Sequence, residues 1–457
     1  MPINKKQKLN NPINKDISNK SVNKSTANKK CPTPPYDIGT TGLQCQLKSD
    51  SQYYPVDIIE RHYDDVNRKY SYYIHYVDID RRLDCWVDEA QLQPKSIQPN
   101  TQSSPVHNKR INSRNTQLSS ASSDAVIDAT ERLLEIEHEK KTRIKNVESI
   151  VLNSYLIDCW YYSPFPGDVI QSIHTKLYIC TYCLKYMNNV NTYLLHQSQC
   201  KLRHPPGTEI YRDIEHSVSI YEVYASKHKL YCQCLCLLSK LFIDHKTLYY
   251  DVDNFIFYVL TEYKPNHGHE IVGYFSKELY STDQNNLACI VILPPYQRHG
   301  YGKLLIELSY ELTRIEHTVG SPEKPLSDLG RVAYKAYWIT QIITYLYNNI
   351  HRLQSVKINE ISESTGIKID DTVSALQAVS LIKYVRGEHV LAANNKSVQL
   401  HYKQQQLLRQ QSIDKGHVLF DSTKLAYVPY NQSDEETNNK NKRTTRRSGG
   451  SGAMSRS

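Results

Sequence analysis

Long apolar runs are absent from this chain of 457 residues. The longest, Leu287 to Leu293, is far shorter than the roughly 20 residues that a transmembrane helix needs. The first residues, MPINKKQKLNNPINKDISNK, lack the apolar region of a secretory signal peptide. The 11 cysteines are an odd set without such a signal, which argues against a disulfide framework. We therefore expect a chain that is neither secreted nor membrane-spanning and that works in a reducing compartment.

Positive charge is concentrated at the two ends. Residues 1–30 hold eight lysines and one aspartate, and residues 440–457 hold six basic and no acidic residues. The net charge is only +9, so the body between the ends is mildly acidic. Basic tails suit nucleic-acid phosphates or nuclear import, as Lys440 to Arg447 suggests, and an acidic body suits a basic peptide substrate. Tails that are merely solvated and disordered are the alternative.

Composition and hydrophobic pattern predict five regions along the chain. They are a disordered basic tail (1–37), a small β domain (38–95), a linker with a charged helix over Asp124 to Lys145 (96–145), a large folded region (146–430) and a second disordered basic tail (431–457). The large region is near the usual upper limit for one domain, so we expect it to be subdivided.

Four potential metal ligands occur at zinc-finger spacing within residues 178–203. Cys180 and Cys183 form a CxxC pair, and His196 and Cys200 follow. Four soft ligands predict a closed, structural Zn²⁺ site rather than unpaired core cysteines. A single finger without tandem repeats is a weak candidate for reading DNA bases.

A predicted strand, loop and helix follow one another between residues 287 and 315. Leu287 to Leu293 is an apolar run closed by two prolines, which predicts a buried strand. Apolar residues then recur at helical spacing from Leu304 to Ile315. Because Gly300 and Gly302 lie just before this helix, backbone N–H groups and the helix dipole predict a cradle for a pyrophosphate.

Missing residues exclude two nucleotide motifs in this loop. A Walker A loop needs Gly at position 297 and Ser or Thr at 304, where the chain has Gln297 and Leu304, and a dinucleotide fingerprint needs Gly where Leu305 stands. Gln/Arg-x-x-Gly-x-Gly after a strand is instead typical of acetyl-CoA-dependent N-acetyltransferases. With the Cys-Cys-His-Cys set upstream, the stretch resembles the MYST family of histone acetyltransferases.

The resemblance implies an α+β fold with an acetyl-CoA-binding N-acetyltransferase core. The zinc finger would stand at its start and a helix-turn-helix-like part at its end, where Ile358 to Ile367 and Asp370 to Ile382 predict two short helices and Leu381 to Leu391 predicts β structure. Tyr70 to Val87 resembles the chromo-barrel, or Tudor-knot, module of the Tip/Esa/MOF-like branch. Its aromatic residues Tyr73, Tyr76 and Trp86 would form a methyl-lysine cage, stack on nucleic-acid bases, or simply fill the barrel core.

The resemblance also implies roles for individual residues. A lysine substrate with a pKa of about 10.4 needs a general base, and Glu323 matches the family's base, with burial expected to raise its pKa. Without the family, Glu323 would be an exposed turn residue. Cys289 would either carry the acetyl group or pack in an apolar strand. The remaining implied positions contact acetyl-CoA: Ile290, Val291 and Ile292 along the acetyl and pantetheine arm, Gln297, Arg298, His299, Gly300, Tyr301, Gly302 and Lys303 at the pyrophosphate, and Ser327.

Two predictions concern the segment from residue 231 to 251. Cys232, Cys234 and Cys236 alternate, which predicts that they share one face of a strand and are buried. Lys240 matches the position at which the family acetylates itself, whereas by itself it would be a solvated surface charge.

We predict a nuclear lysine acetyltransferase that acts on core histone tails, uses acetyl-CoA and Zn²⁺, and works on nucleosomes within a multisubunit chromatin complex. We also expect weak nucleic-acid contact through the tails or the barrel, and no contact with membranes. A catalytically weak chromatin reader or scaffold that keeps the acetyl-CoA pocket, and an acetyltransferase for small amines, are the alternatives.

Overall fold

The computed structural model describes residues 33–48, 52–94, 142–170 and 172–429. The predicted tails and the predicted helix over Asp124 to Lys145 lie wholly or mostly outside these residues. The chain forms two compact units: one comprises the described residues up to Lys201 with Gln233–Asp251, and the other Leu202–Cys232 with the described residues from Val252 onward. None of the described helices is long and apolar enough to cross a membrane.

The first unit begins with a five-stranded antiparallel sheet in the order β4-β3-β2-β1-β5. Its strands are β1 (Leu43–Gln46), β2 (Tyr53–Asp64), β3 (Lys69–Tyr76), β4 (Cys85–Asp88) and β5 (Leu92–Pro94). Alternate residues of β3, including Tyr72, Ile74 and Tyr76, point into one apolar core. Strand alternation explains this core, because successive side chains point to opposite faces.

The same unit continues with a four-stranded sheet and one helix. These elements are β6 (Ser149–Leu152), β7 (Tyr155–Asp158), β8 (Lys176–Ile179), β9 (Tyr186–Met187) and α1 (Val190–Gln199). The sheet order is β7-β6-β8-β9. The Asn189 side chain caps α1 by accepting hydrogen bonds from the N–H groups of residues 191 and 192, which starts the helix directly after β9.

The second unit is built on a five-stranded antiparallel sheet in the order β10-β11-β12-β13-β15. Its elements up to the glycine loop are β10 (Thr208–Asp213), β11 (Val218–Tyr224), the first turn of α2 (Lys229–Lys240), β12 (Phe255–Lys264), β13 (Gly268–Glu278), β14 (Asn285–Leu287) and β15 (Ile290–Ile292). The boundary between the two units falls within α2. Cys232, Cys234 and Cys236 are all buried, as predicted, but they lie on this helix, so the prediction of a shared strand face is wrong.

Helices dominate the chain after the glycine loop, and the periodicity predicted the first of them. The elements in this part are α3 (Tyr301–Ile315), β16 (Ser321–Pro322), α4 (Asp328–Asn348), α5 (Ile358–Thr365), α6 (Ile369–Ala378), the hairpin of β17 (Ile382–Val385) and β18 (Glu388–Leu391), and α7 (Asn395–Asp414). Gly366 ends α5 in the left-handed conformation at φ 71°, which turns the chain into α6. The predicted pair of helices around a glycine turn, with β structure after it, is therefore confirmed.

Candidate active site and metal centre

The strand that leads to the glycine loop is interrupted at Cys289, between β14 and β15. The Ala288 N–H donates to the Ser276 carbonyl (2.7 Å), and the Ser276 N–H donates to the Cys289 carbonyl (2.8 Å). Two residues opposite one form a β-bulge, which bends a strand and redirects its side chains. The Cys289 N–H also donates to the Ser276 hydroxyl oxygen, at 3.2 Å. The prediction of one continuous strand from Leu287 to Leu293 is therefore wrong, and Cys289 is only half-buried.

Glu323 lies beside this bulge because β16 pairs in parallel with β14. The Glu323 N–H donates to the carbonyl of Leu287, two residues before Cys289, at 2.8 Å. The Glu323 side chain is exposed, so the expectation of a buried base is wrong. An exposed carboxylate at this point is accessible to a substrate amine.

The segment from Gln297 to Lys303 leads from β15 into the first turn of α3, so Gly302 lies within the helix and not before it as predicted. The Gln297 side-chain amide donates to the Ile292 carbonyl (2.9 Å), which ties the loop to the end of its own strand. Among the described residues, the backbone N–H groups of residues 298–303 have no backbone acceptor. N–H groups without a backbone acceptor at the start of a 15-residue helix are able to bind an anion.

The two glycines of this segment differ in their surroundings. Gly300 caps α3 at φ 90°, and a Cβ added there would lie 2.6 Å from the Val418 carbonyl oxygen. A Cβ added at Gly302 would meet only Ile292 Cγ1, at 3.8 Å. Gly300 therefore serves the packing of the loop, while Gly302 leaves open space beside the N–H groups.

Residues 417–427, here called the C-terminal strap, pack against the loop and against β10. The Val418 N–H donates to the His299 carbonyl (3.0 Å), Phe420 stacks on Tyr211 with ring centroids 5.5 Å apart, and the Ala426 N–H donates to the β10 backbone (2.7 Å). This strap was not predicted, because its short apolar runs, such as Val418 to Phe420, show neither a helical nor a strand period.

Two other predicted site residues have structural contacts. Ser327 caps α4, where its hydroxyl oxygen accepts from the Gly330 N–H at 3.1 Å. Lys240, at the end of α2, is 4% exposed and donates to the Asp244 carbonyl at 2.7 Å. Burial lowers the pKa of Lys240, and the alternative of a solvated surface charge is wrong.

The four predicted zinc ligands converge within the first unit. The ligand atoms of Cys180, Cys183, His196 and Cys200 all lie within 4.8 Å of one another. The Cys180 and Cys200 sulfurs are 3.8 Å apart, and Cys183 Sγ is 3.2 Å from His196 Nε2. Zn–S bonds of about 2.3 Å in a tetrahedron place sulfurs about 3.8 Å apart, so the set fits Zn²⁺. Contact with the Cys183 thiol lowers the pKa of Cys180, which favours the thiolate that binds metal.

The barrel aromatics do not converge on one cage. Tyr76 is buried in the apolar core, whereas Tyr73 lies on the opposite face of β3 and pairs with Trp86 on β4, with ring centroids 5.4 Å apart. Tyr73 and Tyr76 are each 1% exposed. Tyr76 therefore fills the barrel core, as the alternative to a cage predicted, whereas Tyr73 is buried on the other face of β3 beside Trp86.

Comparison with known proteins covers the same parts of the chain. Residues 204–418 match the MOZ/SAS family, residues 144–200 match the MYST family zinc finger domain, and residues 38–94 match the Tudor-knot, described as the RNA binding activity-knot of a chromodomain.

Curated relatives match over most of the chain. Histone acetyltransferase of the MYST family 1 from Arabidopsis thaliana is 41% identical over 404 residues, which cover 87% of this chain and 86% of that protein. Histone acetyltransferase ESA1 from Saccharomyces cerevisiae is 36% identical, covering 76% and 85%. Histone acetyltransferase MOF from Drosophila melanogaster is 45% identical, covering 67% of this chain and 36% of that protein. Identity of this extent shows that the chain belongs to the MYST family of histone acetyltransferases.

Proposed function

We propose that this chain transfers acetyl from acetyl-CoA to lysine side chains of core histone tails, with Glu323 as the general base. It acts on nucleosomes in the nucleus, as part of a multisubunit chromatin complex. The observation that carries the proposal is the parallel pairing of β14 with β16. This pairing supports a site in which Glu323 stands beside the Cys289 bulge, on the strand that leads into the glycine loop.

Each part of this arrangement has one chemical task. The N–H groups of residues 298–303 bind the pyrophosphate, Ile290 to Ile292 hold the pantetheine arm along β15, and Ser327 contacts the cofactor. Glu323 removes a proton from the lysine ammonium, so that the neutral amine attacks the thioester carbonyl carbon. The C–S bond breaks, the second nitrogen proton passes to the leaving CoA thiolate to give the free thiol, and the exposed Glu323 returns its proton to solvent.

Cys289 defines the alternative route, in which its sulfur first accepts the acetyl group. Ser276 forms hydrogen bonds with both the N–H and the carbonyl group of Cys289. The bulge therefore accounts for the position of Cys289 without a covalent step. We therefore favour direct transfer to lysine.

The variants Glu323→Gln and Cys289→Ala test these roles at saturating acetyl-CoA. Near pH 7 only about one lysine in 10³ is neutral, so Glu323→Gln should lower kcat by about 10² to 10⁴, and the loss should shrink as pH rises. Cys289→Ala should keep much of kcat. A kinetically competent acetyl-cysteine, with Cys289→Ala as inactive as Glu323→Gln, would replace direct transfer by a ping-pong route.

Mass measurement separates the substrate classes. Purified protein with acetyl-CoA should acetylate nucleosomes and leave polyamines unmodified. Acetylation of polyamines alone would indicate a small-amine enzyme, and turnover on neither would favour a scaffold that keeps the pocket.

A further inference from the structure

We propose that Asp371 is a positioning residue that acts on Glu323 through Lys324, an inference that rests on the proposed role of Glu323 as the base. Lys324 follows Glu323 directly, and its ammonium nitrogen lies 2.9 Å from Asp371 Oδ1. The Asp371 side chain is 4% exposed, whereas that of Lys324 is 56% exposed. Lys324, the mostly exposed neighbour of the proposed base, thus forms an ion pair with a buried carboxylate in the first turn of α6.

This ion pair is the main compensation for the buried charge. Among the described residues, Asp371 Oδ2 has no hydrogen-bond partner. Burying a carboxylate is costly unless it is paired. The contact therefore holds Lys324 in place more firmly than an exposed ion pair would.

The turn between α5 and α6 also holds the chain ahead of Glu323. The Gly320 N–H donates to the Gly366 carbonyl (2.9 Å), and the Lys368 N–H donates to the Gly320 carbonyl (3.1 Å). Contacts with the α5–α6 region therefore hold the chain on both sides of Glu323: backbone hydrogen bonds at Gly320 and the ion pair of Lys324.

These contacts of the backbone and of Lys324 matter because the Glu323 side chain is not held by interactions of its own. Within the described part of the chain, no hydrogen bond or ion pair holds the Glu323 carboxylate. Its position relative to the substrate amine depends on the backbone of the turn. A displacement of about 1 Å at a reacting group costs up to about 10²-fold in rate.

The test measures Lys324→Met, Asp371→Asn and the double variant, each with Glu323 intact and with Glu323→Gln. We expect either single change to lower kcat about 10-fold, with KM for acetyl-CoA within about twofold. On the Glu323→Gln background the same changes should cause no further loss, because they act through that residue. Lys383→Met, which removes an exposed lysine from β17, is the matched control and should leave kcat unchanged.

Thermal unfolding separates positioning from stability. Lys324→Met leaves Asp371 buried and unpaired, so its melting temperature should fall, and adding Asp371→Asn should restore it while kcat stays low. A double variant that recovers kcat with its melting temperature overturns the proposal, as does unchanged kcat in Lys324→Met or an equal loss on both backgrounds. If Glu323→Gln alone keeps wild-type kcat, the proposed base itself is wrong, and that outcome is visible without any change at Lys324.

Discussion

Replacing Gly300 and Gly302 by alanine should have opposite consequences, although the two are separated by one residue. Gly300 has φ 90°, and its added Cβ would lie 2.6 Å from the Val418 carbonyl oxygen. A left-handed backbone costs alanine about 1–2 kcal/mol, and forcing a methyl group into packed atoms costs about 1–3 kcal/mol. We therefore expect Gly300→Ala to lower the free energy of unfolding by about 2–5 kcal/mol.

Gly302→Ala is the matched partner of this change. Gly302 is the second residue of α3, where alanine is favoured over glycine by up to about 1 kcal/mol, and its nearest atom would be Ile292 Cγ1 at 3.8 Å. Stability should be kept or raised. The methyl group would nevertheless stand where a phosphate approaches the N–H groups, and we expect the Kd for acetyl-CoA to rise at least about 10-fold, or about 1.4 kcal/mol.

Thermal unfolding and titration calorimetry with acetyl-CoA measure the two effects, with zinc content as a check on folding. Equal unfolding midpoints for the two variants would refute the packing argument at Gly300. A wild-type Kd in Gly302→Ala would show that the pyrophosphate binds elsewhere.

Two further predictions concern the metal and a half-buried histidine. Cys180→Ala removes one of four ligands from a site whose binding energy is of order ten kcal/mol, so elemental analysis should show zinc loss and the protein should become insoluble; a soluble, metal-free and active variant would contradict this. Burial lowers the pKa of His269 in the folded state. Below about pH 6.5 the unfolded state therefore binds more protons than the folded state, and the free energy of unfolding decreases as the pH is lowered. His269→Gln should flatten that fall in unfolding measurements from pH 7 to 5, whereas the exposed His351→Gln should not.

Local pattern was sufficient for several parts of the fold. The spacing of Cys180, Cys183, His196 and Cys200 predicted a metal group that the structure brings together. The apolar repeat from Leu304 predicted α3, whose apolar face is buried. These predictions succeed because each depends on contacts within one short segment, where ligand spacing and helical period are decisive.

Other predictions failed where the pattern was compatible with two structures. Cys232, Cys234 and Cys236 alternate like strand residues, yet their segment forms a helix in which every residue from 231 to 240 except Gln233 is buried. A short apolar run does not distinguish a strand from a buried helix, because both bury every residue. Only the surrounding tertiary structure decides between them.

The details of the candidate site were decided by residues distant in sequence. Ser276 forms the bulge at Cys289, Val418 supports the loop at Gly300, and Asp371 holds the lysine beside the base. Each contact joins segments separated by 13 to more than 100 residues, so no local period encodes it. The sequence by itself determined the chemistry available to the chain, and the pairing of distant strands and turns determined where each group stands, because backbone hydrogen bonds and buried charges are satisfied only in the folded chain.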